Sequence, residues 1–142
     1  VFVEAESRVI GKLRLPEKLI IALRRAHCVQ MDVAFDARVA FLLTDYAYAL
    51  RDVPWLLECL NKLRGLQSND MLSHWKTLVA QGEYRALVAA LLAQHYDPLY
   101  QRSQSNHYTQ HAAAELISLT TLLPPSLDVE AANILANTRL KK

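Results

Sequence analysis

Cys28-Val29-Gln30-Met31-Asp32-Val33-Ala34-Phe35-Asp36-Ala37-Arg38-Val39 changes its hydrophobic period halfway, and that change decides the fold class. Cys28, Gln30 and Asp32 alternate with Val29, Met31 and Val33, which is the period of two expected of a strand. From Val39 onward, Leu42, Leu43 and Tyr46 recur at helical spacing, and Asp36 is placed to cap that helix. A strand that runs directly into a helix is the repeating unit of an α/β fold.

Working outward, Val1-Phe2-Val3-Glu4-Ala5 also alternates and predicts a short buried strand. The chain opens on it without Met or a lead-in, so a cut upstream is expected. Pro16 and Glu17 predict a helix start, with Leu19, Ile20 and Leu23 facing inward. Downstream, Pro54 opens a helix with Leu56, Leu57, Leu60 and Leu63 inward and Gly65 at its end. A shorter helix covers Met71 to Val79 and closes near Gly82. The clearest amphipathic stretch is Tyr84, Leu87, Val88, Leu91, Leu92 and His95. Gln101 to Gln110 is polar and carries no periodic signal. Leu116 to Leu122 predicts a strand that Pro124-Pro125 ends, and Ser126 or Asp128 caps a last helix to about Leu140. The order implies an α/β sheet with a mostly helical subdomain at about residues 50–100.

Composition narrows the function. With 142 residues, 52% apolar and 21% charged, the chain buries a core and is not disordered. Sixteen Lys and Arg against fourteen Asp and Glu create no global basic field, so nucleic-acid contact requires a local patch. No apolar run approaches the ~20 residues of a membrane helix, and the start lacks the pattern of a signal peptide, so no membrane role is expected. Cys28 and Cys59 form neither a CxxC pair nor a disulfide framework, which points to a reducing cytoplasm and to two inert thiols.

Several catalytic patterns are missing. The three glycines, Gly11, Gly65 and Gly82, do not make a GxxxxGK[ST] phosphate loop. There is no GxSxG elbow and no HExxH zinc helix. His107 and His111 are spaced for one metal on a helix, but no third ligand accompanies them, and no metal site is assigned. Trp55 and Trp75 read as packing residues.

Three stretches remain as candidates. Glu4-Ala5-Glu6-Ser7-Arg8 follows the first predicted strand, where α/β sheets bind ligands; a Glu there suits Mg²⁺-bound water and Arg8 suits a phosphate. The competing explanation is a solvated junction with a local Glu–Arg pair. Arg38, at the start of the helix after the second strand, suits a nucleotide or pyrophosphate, or is simply an exposed helix residue. Tyr96-Asp97-Pro98-Leu99-Tyr100-Gln101-Arg102 places two aromatics and an Arg near a Pro break, fit either for stacking on bases or for packing a helix end.

Phe2-Val3-Glu4-Ala5-Glu6-Ser7-Arg8-Val9-Ile10-Gly11 followed by Leu15-Pro16 resembles the ExESRxIG…LP block of bacterial tRNA 2-selenouridine synthases. Val33 to Tyr46, with Arg38-Val39 and Leu42-Leu43-Thr44-Asp45-Tyr46, resembles their xPxxxRVxxLLxDY block, and Tyr96 to Tyr100 resembles their YYDPxY block. Order and spacing agree along most of the chain. Ala34 stands where the family usually has Pro, Phe41 where it often has a charge, and His95 where it has the first Tyr of YYDP.

The resemblance implies that residues 1–142 are the C-terminal part of a P-loop-type three-layer domain. The phosphate loop and a rhodanese-like domain with the nucleophilic Cys would lie upstream, so no catalytic residue is assigned within this chain. It further implies a transferase that first geranylates wobble 2-thiouridine of tRNA with geranyl pyrophosphate. Selenophosphate then replaces the geranyl thiol by selenium. Glu6, Ser7, Arg8 and Arg38 would hold pyrophosphate or selenophosphate, with Mg²⁺ as a possible companion. Tyr96, Asp97, Tyr100 and Arg102 would position the tRNA. The residues alone also leave open a P-loop kinase of small metabolites and a non-enzymatic interaction module.

Overall fold

The computed structural model describes residues 2–4 and 8–140, with the side chains of Ile10 and residues 138–140 left aside. The chain divides into two compact units, one of residues 1–31 and 97–117, the other of residues 32–96 and 118–142.

In the first unit, β1 (Val9–Ile10) and β2 (Leu13–Arg14) pair antiparallel, Val9 opposite Arg14 and Ile10 opposite Leu13. The two-residue loop is Gly11-Lys12. Gly11 has φ 60° and, among the described residues, no non-glycine residue has positive φ, which is the pattern of a type II′ turn with Gly first. The leucine-to-arginine stretch therefore forms a hairpin, an element the sequence reading did not anticipate. Helix α1 (Glu17–Arg25) follows, with Pro16 just ahead of it and Ile20 buried. Of the strand expected over residues 1–5, Val1 and Ala5 lie outside the described residues, and Phe2 to Glu4 are irregular, with Phe2 and Val3 about half exposed. Among the described residues no strand pairs with them, and an unpaired segment cannot satisfy its backbone as a strand.

Strands β3 (Val29–Val33) and β4 (Glu115–Leu119) lie side by side. Glu115 N–H donates to Cys28 O and Ala34 N–H to Leu119 O, each at 3.0 Å, so the strands run parallel. Ala34 thereby extends the ladder with an N–H that a proline would not have.

The core of the second unit is helical. Helices α2 (Phe35–Asp45), α3 (Ala47–Leu50), α4 (Val53–Lys62), α5 (Asn69–Gln81) and α6 (Tyr84–Leu91) follow in order. Asp52 starts α4 by accepting the Trp55 N–H at 3.0 Å, with Pro54 in the first turn. Ser68 starts α5 by accepting the Met71 N–H at 3.2 Å. Gly82 ends α5 in the left-handed region at φ 72°, and Glu83 N–H returns to Leu78 O. Leu56 and Leu60 of α4, Leu72, Trp75 and Val79 of α5, and Leu87 of α6 form one buried cluster. Trp75 and Leu87 are 0% exposed.

From Leu92 to Tyr96 the chain widens into a π turn, then continues as α7 (Asp97–His107). Pro98 explains the widening. It offers no N–H to the carbonyl four residues back, and its ring would strike that carbonyl in a regular α-helix. The polar run Gln101 to His107 is helical, and Gln104 on it is buried.

A 3₁₀ turn (His111–Ala113) leads into β4, and α8 (Pro124–Leu140) closes the chain. Neither Ser126 nor Asp128 caps α8, because the helix begins earlier, at Pro124. Ser126 and Leu127 N–H both donate to Leu123 O. Asp36 likewise does not cap α2, which starts one residue before it with Ala34 as the cap.

Replacing Leu87 by Ala leaves a cavity beside Trp75 and is expected to cost about 2–5 kcal/mol, seen as a lower denaturant midpoint with the same far-UV spectrum.

Candidate functional site

The predicted site residues that the structure describes each occupy a defined local setting. Glu6 and Ser7 lie outside the described residues. Arg8 precedes the hairpin in the first unit. Its carbonyl accepts the Leu15 N–H at 3.0 Å, and its Nη2 meets Glu17 Oε2 at 3.5 Å. Both side chains are largely exposed, 56% and 70%, so water and salt weaken the pair and an anionic ligand can replace Glu17 at little cost. The acid paired with Arg8 is thus Glu17, nine residues further on, and not one of the Glu4 to Arg8 stretch.

Arg38 lies in the first turns of α2 in the second unit and is half-buried. Asp36, two residues earlier, reaches α6: Arg85 Nη2 sits 2.9 Å from Asp36 Oδ1.

Tyr96 closes the π turn of the second unit, 43% exposed. Asp97, Tyr100 and Arg102 lie on α7 in the first unit. Asp97 and Tyr100 are three apart and share a face. Arg102 stands about 200° around the helix from Tyr100. The arginine and this tyrosine therefore cannot clamp one base together.

His107 and His111 are not on one helix, since α7 ends at His107, whose Nδ1 is 2.8 Å from Ser103 O. Among the described residues no three His, Cys, Asp or Glu come together as a metal set. Cys28 and Cys59 are both free and half-buried, and Cys28 Sγ is 3.6 Å from Ala26 O.

Two polar contacts were missed by the sequence reading. Trp75 Nε1 donates to Gln94 Oε1 at 3.2 Å, and Gln67 Nε2 lies 2.9 Å from His95 Nδ1. The Trp75 and His95 rings meet edge to face at 6.4 Å. His95, which replaces a tyrosine of the family block, thus ties the π turn to the segment before α5. Helical periodicity identifies the apolar stripe but gives no sign of which polar side chains reach into it.

A cleft of about 350 Å³ opens where β4 ends and α8 begins, lined by hydroxyls of Ser118, Thr120, Thr121 and Ser126 and by Glu130. Its position, beyond a strand's carboxyl end, suits a ligand. Its chemistry does not suit phosphate. Pro124 and Pro125 have no N–H, those of Ser126 and Leu127 are engaged by Leu123, and Glu130 is acidic.

In the first unit Tyr108 is half-buried beside Arg24 and Cys28. Its neighbour Thr109 donates both its N–H and its hydroxyl to Arg24 O, each at 3.1 Å. Burial pushes the Tyr108 phenol up from its ordinary 10.0; the Arg24 charge opposes that shift and Cys28 adds to it.

The chain is similar to known proteins. Residues 1–54 match the family model described as the tRNA 2-selenouridine synthase AAA domain. A tRNA 2-selenouridine synthase of Marinobacter nauticus is 25% identical over 126 residues, covering 70% of this chain and 34% of that protein. The chain therefore spans about a third of the length of the curated relative it matches. No solved structure matches it. Residues 1–54 contain the first two of the three sequence blocks, and the block at Tyr96 to Tyr100 lies beyond them.

Because the folded state holds the Tyr108 proton more tightly than the unfolded chain, its contribution to stability is intact below the ordinary pKa of 10.0. It is lost as pH rises through the higher folded value. An ultraviolet pH titration is expected to show a late-ionising phenol component that Tyr108→Phe diminishes.

Proposed function

We infer that this chain, similar to tRNA 2-selenouridine synthases along most of its length, works as part of an enzyme that replaces sulfur by selenium in the wobble 2-thiouridine of tRNA. The observation that carries this reading is the match of residues 1–54 to that family's AAA domain, a stretch that contains both Arg8 and Arg38. In the proposed reaction the thiouridine sulfur attacks C1 of geranyl pyrophosphate and pyrophosphate leaves. The selenium of selenophosphate then bonds to C2 as the geranyl thiol departs, and hydrolysis of the Se–P bond releases phosphate.

The role of this chain is electrostatic. Arg8 and Arg38, with Glu6 and Ser7, hold pyrophosphate or selenophosphate, because guanidinium groups pair with phosphate oxygens in a bidentate fashion and offset the charge that builds on the leaving group. Arg8 suits this role since its partner Glu17 is solvated and replaceable. Tyr96, Asp97, Tyr100 and Arg102 position the tRNA from more than one face of the helical run. Mg²⁺ enters only through Glu6, and no step depends on it.

The chain belongs, on this reading, to a three-layer P-loop domain, with residues of about 50–100 as its helical part and the phosphate loop and nucleophilic Cys outside it. Support comes from β3 and β4. Parallel strands are ordinarily covered on both faces, yet Met31 and Leu116 are 48% and 64% exposed. Among the described residues no helix is long and apolar enough to cross a membrane.

Joined to an upstream phosphate loop and rhodanese-like domain of the family's kind, Arg8→Ala or Arg38→Ala is expected to slow tRNA geranylation and selenation about 10²-fold or more, measured by mass spectrometry of the modified nucleoside. Unchanged rates for both variants would sink the assignment.

A further inference from the structure

The chain is nearly neutral, but its charge is not evenly spread. Of its sixteen basic and fourteen acidic residues, six basic and one acidic fall within residues 8–25. The single acid, Glu17, is already engaged by Arg8. This is the local basic patch that the overall composition made a requirement for nucleic-acid contact.

The β1–β2 hairpin presents part of that patch in a particular shape. Lys12 occupies the second position of the two-residue turn, and Leu13 and Arg14 form the returning strand. All three are exposed. Leu13, at 74%, is the most exposed large hydrophobic among the described residues. No ion pair involves Lys12 or Arg14 among the described residues. Leu13 and Arg14 are successive strand residues, so they point to opposite faces of the ribbon. A flat partner would meet only one of the two. A ribbon that enters between two strands meets one on each side.

We propose that this hairpin is an RNA-contacting element that enters a loop or widened groove of the tRNA, with Lys12 and Arg14 on phosphates and Leu13 against an unpaired base. The inference rests on the tRNA reading above and assigns a surface to it. RNA fits because its single-stranded loops offer both a phosphate backbone and unstacked bases, which is what a cation–leucine–cation tip addresses. An anionic bilayer fits less well, since one leucine side chain buries too little apolar surface to hold a protein there.

The test measures binding of the whole chain to an RNA stem-loop with an unmodified uridine at the first anticodon position, to a fully paired RNA duplex, and to vesicles of equal phosphatidylglycerol and phosphatidylcholine, each across a salt series. Lys12→Gln/Arg14→Gln is expected to weaken stem-loop binding at least about tenfold and to lower the slope of log affinity against log salt by roughly 1.4 to 1.8, at about 0.7 to 0.9 per phosphate contact. Leu13→Ser is expected to weaken the stem-loop but not the duplex, with an unchanged slope. Far-UV spectra should be the same for all three proteins, as none of these side chains is in the core. An unchanged slope in the double variant overturns the proposal while leaving the tRNA reading standing. Equal loss of stem-loop and duplex in Leu13→Ser overturns the base contact, and loss of vesicle binding with intact RNA binding assigns the hairpin to membranes instead. If the chain binds neither RNA, both this proposal and the tRNA-positioning role fall.

Discussion

Burying Trp75 is the constraint on which the helical unit turns. It is the largest side chain fully removed from water, and its indole carries an N–H that costs free energy if left unmade inside. The apolar part is met by Leu56 and Leu60 of α4, by Leu72 and Val79 on the same face of α5, and by Leu87. The polar part is met by Gln94. That acceptor lies in the π turn, and the π turn is the local answer to Pro98. A proline four residues beyond Gln94 therefore shapes the segment that supplies the acceptor for a tryptophan nineteen residues before it. Gln67 and His95 add a second polar tie to the same turn.

The charged residues fall into different electrostatic classes, and the functional reading depends on the difference. Arg85 and Asp36 join two helices of the same unit at 2.9 Å. Arg8 and Glu17 sit at a looser 3.5 Å, exposed to water, which leaves the guanidinium available to a stronger anion. Lys12 and Arg14 stand on a hairpin tip. The cleft at the end of β4 has the position expected of a ligand site in an α/β sheet, yet two prolines and two occupied N–H groups deny it phosphate chemistry. Position within a fold suggests where a site lies; the donors present decide what it can hold.

What the sequence by itself determined follows from local physics. The period-two run before Val33, the stripe of Leu72, Trp75 and Val79, the prolines at helix starts and Gly82 at a helix end each act within a few residues, so helices α1, α4, α5 and α6 and strands β3 and β4 were legible, as were the three family blocks. Only the tertiary structure decided the rest, because it depends on partners distant in the chain. Phe2 to Glu4 alternate like a strand but have no described neighbour to pair with. Asp36 has the chemistry of a cap but is placed inside the helix and pairs with Arg85, 49 residues away. Tyr100 and Arg102 look like one binding cluster when written in a line, yet the helical turn sets them on different faces. The hairpin carried a short Gly-X signal that a search for phosphate loops passed over, and its role as a surface emerged only once pairing across Gly11-Lys12 brought Leu13 and Arg14 to its exposed end.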